Sequence, residues 1–427
     1  MKILKKELKI ILITIIVIEI CFFLSLSCHG ENEELKEFED ITAQNLYLAQ
    51  TDTGKVLYQK NAENKIYPAS TTKLLTAILV AENCDLNDKA TVSERAVRSV
   101  PSGYVNANLQ VEEELTVDQL LHVMLISSAN DAANVLAEHV AGSIESFASM
   151  MNTRASELGC TNSNFTNPSG LHEKNHYTTA HDLFLIGKTA IKNDKIRNCL
   201  SMASYTLPNT EKYTGAERRF STTNYLIKKS LSKYYYKYCI GAKTGYTGDA
   251  KNCIIAFAQK DGIELTAVVM GENAKGKKFL DAKEMFEYIY DNYEEKSIIK
   301  KGELIEKIKI KNGTNKTKNL NVIAKDDIKI LERKNENIEN NNKTIEYTKS
   351  VAPISKNETI GKIRFENSGV EYSTDIIAQD SVEENKTGKY IIYILIILLL
   401  IYILQTTRKS NKNTRKKCKK SKYGGRY

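Results

Sequence analysis

The sequence of 427 residues predicts an α/β (α+β) fold: an antiparallel sheet with helices, then a small β-rich domain, then a C-terminal transmembrane helix. Three observations predict it. Between about Asp40 and Tyr290, short alternating runs interleave with apolar runs of helical length. From about Ile298 the texture changes to strict alternation, as in Lys307-Ile-Lys-Ile-Lys311. From Tyr390 to Leu404 every residue is apolar or tyrosine, and ten Lys or Arg with no acidic residue follow between Arg408 and Arg426.

Within the first region, Asn45–Ala49 and Lys55–Tyr58 read as strands joined by a turn at Thr51-Asp-Thr-Gly54. Thr72–Ala81 is almost wholly apolar after Lys73 and predicts a buried helix. Thr116-Val-Asp-Gln119 has the spacing of a capping box for a helix through Ile126. Asp131–Val140 predicts another short helix. Tyr238–Thr244 and Asn252–Gln259 read as paired strands around a turn at Gly245-Tyr-Thr-Gly248, Leu265–Met270 as a third strand, and Lys278–Tyr290 as a closing helix. In the β-rich region a turn is expected at Asn312-Gly313, with strands at Asp327–Leu331 and Gly361–Phe365 and an Asn-rich loop near Asn335–Asn342. The expected divisions are 1–27 signal, 36–292 main domain, 297–375 β-rich domain, 376–389 linker, 390–407 transmembrane helix and 408–427 basic tail. There is no internal repeat.

The formal net charge of +9 sits at the two ends. The middle of the chain is slightly acidic, which argues against nucleic acid as a partner. Lys2, Lys5, Lys6 and Lys9 precede an apolar run from Ile10 to Leu26, interrupted by Glu19, with small residues at Ser25 and Ser27. This is the pattern of a secretory signal, with an uncleaved anchor as the alternative. Cys28 suggests lipidation, but Ser25 stands where a lipobox has Leu. The second apolar run is about 22 Å of helix at 1.5 Å per residue, and Gln405-Thr-Thr407 extend it. The basic block after it places the tail in the cytoplasm and the main domain outside the cell membrane. Five cysteines (Cys84, Cys160, Cys199, Cys239, Cys253) fall in the outer part. Their odd number and the absence of a C-x-x-C pair fit neither a disulfide framework nor a zinc site. Cys239 and Cys253 facing each other across a hairpin is the weaker reading beside isolated buried thiols.

The chemistry lies in three short motifs: Ser70-Thr71-Thr72-Lys73, Ser128-Ala129-Asn130 and Lys243-Thr244-Gly245. Ser70 opens a helix and Lys73 returns to the same face three residues later. A serine hydroxyl needs a neighbour to take its proton. Lys73 can do so if burial and a second cation depress its pKa, and Lys243 can be that cation. Ser128 is placed to pass a proton to a leaving amine, and Asn130 to hydrogen-bond a substrate amide. The Lys243 cation and Thr244 hydroxyl suit a terminal carboxylate, and Gly245 permits close backbone approach. Each motif alone also has an ordinary reading: a helix start, a helix cap at Asn130, and a strand-to-turn transition. Their joint occurrence in this order favours the chemical one.

With these motifs the chain resembles the low-molecular-weight penicillin-binding proteins that act as D-alanyl-D-alanine carboxypeptidases. The resemblance is carried by Tyr67-Pro-Ala-Ser-Thr-Thr-Lys73, Ser127-Ser-Ala-Asn-Asp-Ala-Ala133, Asn167-Pro-Ser-Gly-Leu171, His176-Tyr-Thr-Thr-Ala180 and Lys243-Thr-Gly-Tyr-Thr247, and covers about Ile41 to Tyr290. It implies a β-lactamase/transpeptidase-like domain whose Ser70 attacks the carbonyl between two D-alanines, with Lys73 as base. The backbone N–H groups of Ser70 and Tyr246 would form the oxyanion hole. The substrates implied are peptidoglycan stem peptides ending in D-Ala-D-Ala. β-Lactams would act as slowly released inhibitors, and no metal or organic cofactor is needed. The strongly apolar C-terminal helix departs from the amphipathic anchor more usual in that family.

Other readings compete. His172-Glu173-Lys174-Asn175-His176 spells H-E-x-x-H, a zinc-protease site when helical. Here it follows Asn167-Pro-Ser-Gly170, which breaks helices, so a loop is expected. His181 and Asp182 are expected near a helix start in structural roles. A class A β-lactamase would need a glutamate in an E-x-x-L-N loop, and none lies between Asn130 and Lys243. A non-catalytic penicillin-sensing or wall-binding module would keep the pocket without turnover. Tyr234-Tyr-Tyr-Lys-Tyr238 either lines the cleft beside Lys243 or forms a loop and strand edge.

Overall fold

A computed structural model describes residue 38 and residues 40–336 and 343–421, the side chains of 410–421 excepted. The expected signal segment, most of the Asn-rich loop and the side chains of the basic tail lie outside the described residues. The chain divides into two compact units after Asp291.

The first unit is built on a five-stranded antiparallel sheet. Its strands are β1 (Asn45–Gln50), β2 (Val56–Lys60), β7 (Cys239–Thr247), β8 (Lys251–Lys260) and β9 (Ile263–Glu272), in the order β2-β1-β9-β8-β7. Two short pairs lie outside this sheet: β3 (Lys89–Thr91) with β4 (Glu114–Thr116), and β5 (Ser204–Leu207) with β6 (Arg218–Ser221). β1, β8 and β9 are buried on both faces over most of their length, so they read as continuous apolar runs rather than alternating ones.

The helices follow their local signals. Lys73–Asn83 is buried on nearly every side because its residues are apolar all round. Val117–Ile126 starts with the expected capping box: Gln119 N–H donates to Thr116 Oγ1, and Thr116 N–H to Gln119 Oε1. The helix Ile144–Glu157 is capped by Ser143, and Ala180–Lys192 by Thr179.

Two local readings are corrected. Ser70 does not open the α-helix. It sits in a 3-10 turn, Ala69–Thr72, and the α-helix begins at Lys73. β7 does not end at Lys243-Thr244-Gly245 but runs on to Thr247, with the hairpin turn after it. Gly245 is therefore a strand glycine, kept small for packing rather than for a turn. The preferred reading of Cys239 and Cys253 as isolated thiols holds: Cys239 pairs with Ala258 and Cys253 with Gly245, and both thiols are free.

The second unit pairs β10 (Tyr293–Ile299) with β13 (Ile328–Arg333). Its main sheet contains β11 (Leu304–Lys309), β12 (Asn319–Ala324), β14 (Lys343–Tyr347), β15 (Thr359–Asn367) and β16 (Val370–Ala378), in the order β11-β12-β16-β15-β14. The expected turn at Asn312-Gly313 forms, with Asn312 at φ +60°, inside a longer β11–β12 connection over 310–318 that buries Ile310 in the core. The start of the expected linker belongs to this unit: β16 reaches Ala378, and Val382 is buried and bridges to Ile354. The helix Thr387–Ser421 follows, and its segment Thr387–Lys409 is long and apolar enough to cross a membrane, with none of its most apolar stretch buried.

Candidate active site

Ser70, Lys73, Ser128, Asn130 and Lys243 converge although they come from five positions across the sequence. Lys73 is wholly buried and its Nζ donates three hydrogen bonds: to Ser70 Oγ at 3.1 Å, Asn130 Oδ1 at 2.6 Å and the Ser169 carbonyl at 2.6 Å. None of the three acceptors is a carboxylate. Burial, and then the neighbouring Lys243, hold the Lys73 ammonium well below its ordinary pKa of 10.5, while Asp131 opposes the shift.

The turn carrying Ser70 is fixed by close packing. Ala69 has φ +47°, and the Thr71 hydroxyl donates to the Pro68 carbonyl at 2.7 Å. Two glycines lie against this turn. A Cβ on Gly245 would stand 2.9 Å from the Pro68 carbonyl oxygen and 3.1 Å from the Ser70 nitrogen. A Cβ on Gly170, which has φ +79°, would stand 1.9 Å from the Ala69 carbonyl oxygen.

Ser128 occupies the loop before the helix Asn130–Ala141 with φ +70°, which turns its side chain toward Lys243. Lys243 Nζ donates to Ser128 Oγ at 2.8 Å and to the Thr244 carbonyl at 3.0 Å. Asn130 is not the helix cap; Ala129 takes that position without a side-chain bond, which leaves the Asn130 amide oxygen for Lys73. Its neighbour Asp131 accepts from the backbone N–H groups of Ala107, Leu109 and Ala132, tying the 105–109 loop to the helix.

Thr244 Oγ1 donates to Thr223 Oγ1 at 2.7 Å, and Tyr246 projects outward with 65% of its surface exposed. Lys243 is wholly buried. Burial, and then Lys278, lower its pKa to about 7.

Lys278 was not singled out from the sequence. It lies near the start of the helix Lys277–Asn292, buried, with Nζ 3.2 Å from the Gly245 carbonyl, and burial lowers its pKa to about 8. No motif marks it, because its relation to Lys243 exists only when that helix packs on β7. Ser169 was quoted only within a signature stretch, and its contribution is a backbone carbonyl, to which side-chain chemistry gives no clue.

The H-E-x-x-H stretch is a loop. His172 lies edge-on to Tyr67 at 4.6 Å and 3.6 Å from Asp249, while His176 is buried elsewhere, on Thr72 and Thr166. His181 and Asp182 occupy the first turn of the helix Ala180–Lys192. The Tyr234–Tyr238 run forms a loop, and Tyr235, Tyr236 and Tyr238 border a separate depression with Lys260 and Tyr290.

Residues 31–274 match the model of the D-alanyl-D-alanine carboxypeptidase family, and residues 293–384 match that of the penicillin-binding protein 5 C-terminal domain. The chain is 33% identical to the D-alanyl-D-alanine carboxypeptidase DacF of Bacillus subtilis, over 82% of this chain and 88% of that one. The penicillin binding protein 5 structure from Haemophilus influenzae superposes with a TM-score of 0.63 at 25% identity, covering 81% of this chain and 98% of that one. A peptidoglycan synthesis regulatory factor (PBP3) from Streptococcus pneumoniae shares the fold with a TM-score of 0.70 at 23% identity, covering 80% of this chain and 100% of that one. With a family model spanning more than half its length and this site beneath Ser70, the chain belongs to the D-alanyl-D-alanine carboxypeptidase family of serine peptidases.

Proposed function

We propose that Ser70 carries out the carboxypeptidase reaction on peptidoglycan stem peptides ending in D-Ala-D-Ala. The observation that carries this reading is the Lys73 ammonium, buried without a carboxylate partner and 3.1 Å from Ser70 Oγ. A lysine kept so far below its ordinary pKa can be neutral when substrate arrives and accept the serine proton.

Ser70 Oγ attacks the carbonyl carbon between the two D-alanines, and its proton passes to Lys73. The oxyanion is held by the backbone N–H groups of Ser70 and Tyr246, since Gly245 lets β7 approach the Ser70 turn closely. As the C–N bond breaks, Ser128 Oγ delivers a proton to the leaving amine and is reprotonated with the proton that Lys73 took from Ser70, while Lys243 Nζ stays charged and holds Ser128 Oγ in place. Terminal D-alanine departs, and water attacks the ester carbonyl, its proton passing through Lys73, neutral again, to Ser70 Oγ as the ester bond breaks. Asn130 orients the substrate amide. Lys243 and Thr244 bind the terminal carboxylate, with Lys278 adding positive charge behind Gly245. A β-lactam acylates the same oxygen. No E-x-x-L-N glutamate of the class A β-lactamase type lies between Asn130 and Lys243, so slow release of penicillin is the expected behaviour.

The helix Thr387–Lys409 anchors the protein in the cell membrane, with the catalytic unit outside and the basic tail in the cytoplasm. Its exposed apolar surface and the ten Lys or Arg after it support this orientation.

The decisive experiment is intact-mass analysis of the full chain in detergent with penicillin over time, with D-alanine release from a D-Ala-D-Ala peptide assayed in parallel. A persistent adduct on Ser70 with D-alanine release is expected. An adduct without release would favour the sensor reading, and rapid penicillin loss without an adduct a β-lactamase.

A further inference from the structure

His176 ends the H-E-x-x-H stretch, and no step of the proposed reaction uses it. Its side chain is 1% exposed and its two ring nitrogens have different partners. Nδ1 lies 3.1 Å from the backbone nitrogen of Thr166, which has a proton to give, so Nδ1 is the acceptor. The ring proton is therefore on Nε2, which donates to Thr72 Oγ1 at 2.9 Å. Burial, and then Lys73, push the imidazole pKa down to about 3, so the ring stays neutral.

The two segments joined by this ring are those that hold Lys73. Thr72 closes the turn carrying Ser70 and directly precedes Lys73. Thr166 leads into the turn organised by Asn167, whose Oδ1 collects the N–H groups of Ser169, Gly170 and Leu171. That turn presents the Ser169 carbonyl to Lys73 and fits Gly170 against Ala69.

We propose that His176 is a positioning residue for acylation: a neutral imidazole strap that fixes the Ser70 turn against the 167–170 turn and so holds Lys73 Nζ on Ser70 Oγ. It touches no reacting atom and acts through Thr72 and Thr166. The carboxylate grip of Lys243 and Thr244 lies on β7, outside the strap. Loosening it should slow the chemical step and leave substrate binding alone. A displacement of about 1 Å at a reacting pair costs up to roughly a hundredfold in rate.

The proposal rests on Ser70 and Lys73 being the acylating pair. The test compares the full chain with His176→Leu, His176→Gln, Thr72→Val and the double variant Thr72→Val/His176→Leu. Two quantities are measured: the rate of covalent labelling by a fluorescent penicillin, and kcat and KM for D-alanine release. His176→Leu should lower labelling and kcat by roughly tenfold or more, with KM within about twofold. Gln presents an amide N–H and a carbonyl at a spacing close to that of the two ring nitrogens, so His176→Gln should stay within about threefold of the parent. Thr72→Val should match His176→Leu, and the double variant should be no slower than either.

Unchanged kcat in His176→Leu overturns the proposal, as does a loss carried by KM or a Gln variant no better than Leu. If His176→Leu does not fold, Thr72→Val decides: wild-type kcat there overturns the strap. Failure of the underlying reading is distinguishable, because then the parent protein itself shows no label on Ser70.

Discussion

In the C-terminal β unit, basic side chains sit in water beside acids: Lys325 is 2.9 Å from Asp375, and Arg364 2.7 Å from Glu371. Beneath Ser70, Lys73 and Lys243 are wholly buried, and among the described residues neither pairs with a carboxylate. Their partners are a serine hydroxyl each, an Asn amide oxygen and backbone carbonyls. Exposed ion pairs contribute little because water screens them and two long side chains must be held still. A buried ammonium without counter-charge is expensive, and the protein meets that cost partly by making the proton easy to lose. The same residue type thus faces water beside an acid in one unit and lies buried without counter-charge in the other.

The largest expected effect is Ser70→Ala, which should abolish penicillin labelling and D-alanine release while far-UV circular dichroism stays unchanged. Any residual covalent label in that variant removes Ser70 as nucleophile.

Lys73→Met sharpens the comparison further. Acylation should fall by roughly 10²–10⁴, the usual range for losing a general base. The melting temperature should hold or rise, because Met fills the space without an ammonium to desolvate. A clear drop in melting temperature would show that the charge stabilises the fold.

Lys243→Ala should weaken substrates with a free terminal carboxylate by about 1.5–3 kcal/mol, the range for a hydrogen bond to a charged group. Terminally amidated substrates should lose less, and equal losses would argue against the carboxylate role. The pH behaviour has two opposite signs. With its folded pKa at about 7, Lys243 loses its charge as pH rises through that value, so kcat/KM for carboxylate substrates should fall above it. That limb should vanish in the variant. Between about 7 and the ordinary value near 10.4, the unfolded chain carries a proton at Lys243 that the folded chain lacks. Its contribution to stability is therefore unfavourable below this window and improves as pH rises across it, which thermal melts can follow.

The smallest effect should come from Arg364→Ala in the β unit, with melting temperature and D-alanine release both unchanged within experimental scatter. A substantial loss there would mean that a solvent-facing pair carries more than screening permits.

Much of this molecule was legible in one dimension. The capping box at Thr116 and Gln119 formed as read, since it needs only four consecutive residues. The five principal side chains of the three motifs met in one place. The relation between Gly245 and the Ser70 turn was not legible: the glycine looked like the start of a turn, whereas β7 continues through it and a side chain there would crowd Pro68 and Ser70. The turn at Asn312-Gly313 was legible, but the length of the connection around it, which buries Ile310, was not.

By itself the sequence determined which chemistry was available. A serine three residues before a lysine, a serine two before an asparagine, and Lys-Thr-Gly are local patterns, as are the apolar C-terminal run and its basic flank. What only the tertiary structure decided was the electrostatic state of those groups. Lys73 is depressed because helix, sheet and the 167–170 turn close around it. Lys278 reaches the neighbourhood of Lys243, a β7 residue, from the helix Lys277–Asn292, and His176 reaches Thr72 across a sequence separation of 104 residues. Burial and through-space charge depend on distances in three dimensions, and spacing along the chain does not encode them until the chain has packed.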